Sequence, residues 1–257
     1  MQKHYMCTSQ SFDRFGHRLY RIRALKNLPQ HGVKRGDLGG WVEGSASLGG
    51  SAWVADEAEV YGNAKVYENA LVYGDAWVCG GAQVYGNAKV GEDAVVYGNA
   101  EVYGCAHVLG KAEVFDAAKV FEDAVVSGFT RVAGNAWVRG RAELHGDLWV
   151  HKHARIAAQS DFLCIGPLAP FGQRINLFRT GNKQGYVLEV GFWSGTLPAL
   201  PEQLKRWAEN EWAFASEEEL ARWLAEYRAL LPFLRQRILL WRPSSRTILE
   251  FPEALSG

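Results

Sequence analysis

The chain has 257 residues, 48% of them apolar, and its 28 Lys and Arg balance 28 Asp and Glu. This composition can fill a substantial core and excludes a uniformly basic nucleic-acid binder or an acidic disordered chain. No apolar run reaches the roughly 18 residues that cross a bilayer, and four cysteines without a C-x-x-C pair exclude a dense disulfide or zinc framework. The expectation is a reduced, cytoplasmic, soluble protein without membrane contact. Residues 1–10 carry no signal-peptide core.

Residues 1–40 read as a cap. A strand over 17–25 would place Tyr20, Ile22 and Ala24 on one face, with Arg18, Arg21 and Arg23 largely on the other or at its edge. Pro29, Gly32 and Gly36 then mark a turn region. Residues 1–37 hold eight Lys/Arg against two Asp/Glu. The plain reading of Arg18, Arg21 and Arg23 is a solvated cap surface; the sharper one is an anion-binding patch for phosphate or nucleic acid, although a nucleic-acid partner is not expected.

From residue 41 to 156 a six-residue repeat runs without a slip. All twenty sixth-place residues from Val42 to Ile156 are apolar, seventeen of them Val, and two places before each stands Ala in seventeen cases, the exceptions being Gly40, Thr130 and Leu148. A fixed short period means a solenoid. Val is expected to point inward from a very short strand, its two neighbours outward, and Ala to fill an inside corner. The place two after each Val is Gly in thirteen of nineteen repeats from Gly44 to Lys152, as a turn needing positive φ requires.

Residues eighteen apart should then stack on one face, if three sides close one coil. Tyr67, Tyr85, Tyr103 and Phe121 make one outward aromatic ladder. Tyr61, Tyr97 and Phe115 make another, with Cys79 between. Stacked rings stabilise a solenoid by themselves, and a strip of them bordered by charged places also suits a subunit or partner interface.

His145 and His151 occupy the same outward place one repeat apart, on adjacent sides, and His153 lies at the next corner. These three are the catalytic candidates, as general base; surface histidines without a role are the plain alternative. Their neighbourhood is basic: residues 128–157 hold five Lys/Arg and two acids. Arg131, Arg139, Arg141, Lys152 and Arg155 are therefore anion-binding candidates, although adaptation to the following domain explains the same bias. No metal is expected.

Residues 158–257 read as a C-terminal α+β domain. Short strands are expected at 162–165, 175–179 and 186–192, with a turn at Gly181-Asn182. Helices follow, one over about 201–212 aligning Leu204, Trp207, Ala208 and Trp212, and one opening with a Ser216/Glu219 capping box and aligning Leu220, Trp223, Leu224, Tyr227 and Leu231.

The period over 41–157 resembles the hexapeptide repeat of left-handed parallel β-helices, which implies a mainly β, three-sided, left-handed coil of six to seven turns, roughly 30 Å long at ~4.8 Å per coil. With the basic opening strand and Gly39-Gly40-Trp41-Val42, the layout resembles the YdcK-like acetyltransferases. The Cys164-Ile165-Gly166-Pro167 strand and residues 191–196 resemble an appended domain of phage and prophage proteins. The hexapeptide resemblance implies a CoA- or acyl-carrier-dependent acyltransferase, often trimeric, with a His near a subunit interface as base and acetyl-CoA or another acyl-CoA as cofactor. Those active sites commonly use a loop that interrupts the repeat, and none interrupts 41–157. The favoured expectation is therefore a non-catalytic binding or assembly module, a homotrimer or dimer with a protein partner and no cofactor, its more specific form being a phage-derived accessory protein that engages a host factor. An acyltransferase, and nucleotide or nucleic-acid capture by the basic cap, are the alternatives.

Overall fold

The computed structural model describes residues 3–44 and 48–241. Of the sequence expectations, the corner residue Ala46 and residues 242–257 of the C-terminal segment lie outside the described residues. The chain divides into two compact units, Met1–Phe162 and Leu163–Gly257.

The first unit opens with an antiparallel hairpin, β1 (Tyr5–Arg14) and β2 (His17–Ala24), and β3 (Leu38–Val42) pairs antiparallel with β2. Two-residue strands follow, β4 (Trp53–Val54) through β21 (Arg155–Ile156). They stack as three parallel sheets in which every third strand is a neighbour, so that Glu101 pairs with Gln83 on one side and Lys119 on the other. The result is a mainly β, parallel β-solenoid of about six turns. Its first face stacks the strands that bury Val42, Val60, Val78, Val96, Val114, Val132 and Val150, its second those from Trp53–Val54 to Glu143–Leu144, and its third those from Lys65–Val66 to Arg155–Ile156.

The repeat builds this in the expected way. Val66, Val84 and Val102 are fully buried, as are corner residues Ala70, Ala88 and Ala106. Burying one such Val side chain contributes about 1.5–3 kcal/mol. Coils are tied by regular backbone bonds, such as Lys65 N–H to Ala82 C=O at 2.9 Å and Tyr67 N–H to Val84 C=O at 3.0 Å. The three departures from corner Ala, at Gly40, Thr130 and Leu148, fall in a single corner column of the first face. Gly40 is needed because a Cβ there would stand 2.5 Å from Ala58 O. Buried Thr130 satisfies its hydroxyl on Gly146 C=O at 3.3 Å.

At the turn place all nineteen residues take positive φ, glycine or not. The six that are not glycine are Asp56, Glu68, Glu92, Asp116, Glu122 and Lys152, with φ between 54° and 61°. Each of the five acids accepts a hydrogen bond from the backbone N–H of the glycine eighteen residues on, from Glu92 Oε2 with Gly110 at 2.7 Å to Asp56 Oδ2 with Gly74 at 3.0 Å. An acid thus offsets the strain of its own backbone by capping the next coil.

The cap departs from expectation in one respect. The buried side chains of β2 are Leu19, Ile22 and Ala24, while Tyr20 is half-buried. A register shift against β3 between Arg21 and Arg23 breaks strict alternation, so residues three apart share the inner face. Trp53, expected outward, is 2% exposed, because its ring lies where a Cβ on Gly39 would otherwise be, beside Ile22. Two cap histidines also grip the coil below: His4 Nε2 lies 2.8 Å from Ala52 O, and His31 Nε2 lies 3.0 Å from Ser51 O.

In the second unit β22 (Phe162–Leu168), β23 (Gln173–Arg179), β24 (Tyr186–Val190) and β25 (Trp193–Gly195) form one sheet in that order, and the last three pair antiparallel. β22 runs through Gly166-Pro167, where the sequence suggested its end, and the expected 186–192 strand breaks at Gly191 before β25. Asn182 Oδ1 closes the β23–β24 turn by accepting from Thr180 Oγ1 at 2.8 Å and from Gly185 N–H at 3.1 Å. Helix α1 (Leu200–Glu209) stops short of Trp212, which is buried in the turn that follows it. Helix α2 (Glu217–Trp241) opens with the expected capping box: Glu219 Oε2 accepts from Ser216 N–H at 2.9 Å, and Ser216 Oγ accepts from Glu219 N–H at 3.3 Å. Trp207, Trp212, Trp223 and Tyr227 form its aromatic centre.

Two outcomes follow. Gly86→Ala places a Cβ 2.8 Å from the backbone of Gly104 in a left-handed conformation and should cost about 1–3 kcal/mol, whereas Glu92→Gly should be milder than Glu92→Ala; urea unfolding followed by circular dichroism ranks them. Burial lowers the pKa of His4 and of His31, so the unfolded chain binds protons that the folded cap resists. Stability from these contacts should be complete above the ordinary histidine value of about 6.5 and fall as pH drops through it. A His4→Gln variant should show a flatter thermal-unfolding profile between pH 7.5 and 5.

Candidate functional site

On the first face the residue preceding each valine forms a column, Trp41, Glu59, Trp77 and Val95, and the residue two places earlier forms a corner column, Glu57, Asp75 and Asp93. Successive members stand one coil apart, about 4.8 Å. The tip of the β1–β2 hairpin reaches back over these columns. Phe12 meets Trp41 edge-on at 4.8 Å and Phe15 meets Trp77 at 6.4 Å. The Arg14 guanidinium sits 4.9 Å above the Trp77 ring and bonds both oxygens of buried Glu59, through Nε at 2.8 Å to Oε2 and through Nη2 to Oε1.

One step nearer the cap the pattern repeats. Arg21 lies 5.0 Å over Trp41 and donates to Glu57 Oε1 at 2.7 Å, while Trp41 Nε1–H donates to Glu57 Oε2 at 2.8 Å. The Trp41 N–H, and then Arg21, hold the Glu57 carboxyl below the usual carboxylate range. Hairpin and face border an open cleft of about 560 Å³ lined by aromatic rings, carboxylates and Arg14. The sequence carried its parts as residues eighteen apart, Trp41 with Glu59 and Trp77, and Glu57 with Asp75 and Asp93. The folding-back of the hairpin, which makes them a cleft, had no periodic signal.

The third face carries the first aromatic ladder. Tyr67, Tyr85, Tyr103 and Phe121 stack with centroids 4.8, 4.8 and 4.9 Å apart and planes within 6° of parallel. Trp137, in the neighbouring column with Lys119, meets Phe121 edge-on at 6.0 Å. Tyr67 and Tyr85 donate their hydroxyls to Gln83 Oε1 and Glu101 Oε2, at 3.3 and 3.2 Å. Burial among neighbouring rings raises the Tyr103 phenol to about 12, so the ladder is neutral at physiological pH. The second ladder, on the first face, is interrupted: Tyr97 and Phe115 stack at 4.9 Å, but Tyr61 is buried against His17 of the cap, with ring centroids 5.3 Å apart.

The candidate histidines stand on different sides of the prism. His145 is on the second face, with Ser127 Oγ 2.5 Å from Nδ1 and Glu143 Oε2 3.4 Å from Nε2. His151 belongs to the first face, its ring 5.0 Å from Trp149, and His153 is exposed at the next corner. The Ser127–His145–Glu143 line has the residue types of a nucleophile, a base and a carboxylate, but the side chains of His145 and Glu143 are 54% and 59% exposed. Water reaches every member.

The basic candidates are dispersed into local contacts. Arg131 approaches Glu113 at 3.7 Å and Arg139 approaches Glu122 at 3.8 Å. Arg155 lies 4.1 Å over Trp137 and donates to Asn135 C=O at 2.6 Å; burial lowers its pKa. Arg141 and Lys152 are exposed. In the cap, Arg18 pairs with Asp13 at 2.7 Å, Arg21 with Glu57, and Arg23 donates to Gly36 C=O at 3.2 Å. Among the described residues no helix is long and apolar enough to cross a membrane. No protein-family model matches the chain, and a search of curated proteins returned no match.

Proposed function

We propose that this chain is a non-catalytic binding and assembly module that self-associates through the third face of its solenoid, leaving its other surfaces for a protein partner. The observation that carries the reading is the parallel stack of Tyr67, Tyr85, Tyr103 and Phe121 on a side without an inserted loop. Such a face is flat, neutral and apolar along its axis, and it is bordered by the charged column of Lys65, Glu101 and Lys119, with Lys119 paired to Glu101 at 2.9 Å. An apolar strip with a polar rim is the anatomy of a subunit interface. A flat wall surrounds a substrate poorly and leaves water in place, which counts against chemistry on it.

Mass photometry should find a dimer or trimer at submicromolar concentration. The Tyr85→Ser/Tyr103→Ser variant should shift the population to monomer by at least about tenfold in dissociation constant, which is about 1.4 kcal/mol, with the circular dichroism of the solenoid retained. A wild-type protein that stays monomeric at tens of micromolar would refute the reading.

The acyltransferase reading retains one specific observation, the Ser127–His145–Glu143 line. It requires acetyl-CoA to bind at millimolar concentration, with acyl transfer lost on His145→Ala. Calorimetry without heat at that concentration would remove it.

A further inference from the structure

We propose that the cleft between the hairpin tip and the first face binds a guanidinium group, the side chain of an arginine in an extended peptide being the occupant that fits. The first face already holds two guanidiniums in one manner. Arg14 lies over Trp77 with Glu59 as its carboxylate, and Arg21 lies over Trp41 with Glu57. Each combines attraction to an indole face with charge-assisted hydrogen bonds in a partly desolvated place, for which a planar guanidinium is better suited than an ammonium. The protein's own side chains thus demonstrate what chemistry this surface accepts.

The cleft holds more negative charge than those two arginines answer. With Glu59 matched by Arg14 and Glu57 by Arg21, the carboxylates of Asp75 and Asp93 remain, both exposed to the same 560 Å³ space. Among the described residues neither side chain makes a hydrogen bond or ion pair, in contrast to Asp56, Glu92 and Asp116, which cap backbone N–H groups. Asp75 and Asp93 stand one coil apart, about 4.8 Å, a separation that the several donors of one guanidinium can bridge. Trp77 and Val95 supply an apolar wall for the methylene stem. The volume lies within the range of small-ligand sites.

The site is independent of the third-face assembly proposed above. Calorimetry or tryptophan fluorescence on the full chain, with three blocked tripeptides of the form Gly-X-Gly, provides the test, X being arginine, lysine or citrulline. Arginine should bind at least about tenfold tighter than citrulline, which has the same shape without charge, and measurably tighter than lysine. Asp75→Asn/Asp93→Asn should weaken the arginine peptide by at least about tenfold while circular dichroism is unchanged, and affinity should fall with added salt. Agmatine distinguishes the source: weaker binding than the peptide supports the peptide occupant, and equal or tighter binding overturns that part in favour of a free small guanidine. Equal affinity for arginine and citrulline, no binding of the arginine peptide at ten millimolar, or no loss in the double variant would each overturn the site.

Discussion

The hydrogen-bonded register between successive coils is the constraint from which the rest of this structure follows. Each strand from β4 to β21 is two residues long, far too short to hold a fold alone, yet those inside the stacks are bonded to the coils before and after them at an offset fixed by eighteen residues. The buried valine at its centre and the small corner residue keep that offset from slipping, since a one-residue slip would turn the valines outward. Ring spacings of 4.8 to 4.9 Å in the ladder are simply the coil spacing made visible in side chains.

The same repetition explains how charge is tolerated on a tightly wound rod. At the turn, glycine accepts positive φ without a Cβ, and where an acid replaces it the carboxylate bonds the glycine N–H of the coil above. Acidic side chains are thus structural at that place and available at others. The distinction separates Glu92, whose carboxylate belongs to the scaffold, from its neighbour Asp93, which faces the cleft. Like charges in one column would repel, and two columns place a cation one coil from an acid, as with Lys119 and Glu101 or Arg131 and Glu113.

The cap closes the first coils and also creates the molecule's most differentiated surface. A bare solenoid side is a flat repeat, equally suited to many weak contacts. By folding its tip over Trp41 and Trp77, the hairpin converts part of one side into an open cleft, with arginines held between indoles and carboxylates. The third face remains flat and aromatic. Two such surfaces on different sides leave the proposed assembly and the proposed ligand capture without shared residues.

Much of this was legible in the chain itself. The six-residue period specified inward valines, corner alanines, turns with positive φ and stacked tyrosines, because each is a local consequence of side-chain alternation and Cβ sterics. Alternation says which residues point away from the core; it does not say whether something else lies outside them. Trp53, Glu59 and Tyr61 occupy outward places and are buried nonetheless, because the cap, which has no period of its own, packs over them. The cleft belongs to that same class, since it needs Phe12 to meet Trp41, and Arg14 to meet Glu59 and Trp77, across long stretches of chain. Periodicity determined the rod, and only the long-range return of an aperiodic hairpin decided where the rod has a cleft, because contacts between a repeat and a non-repeat leave no regular mark in sequence.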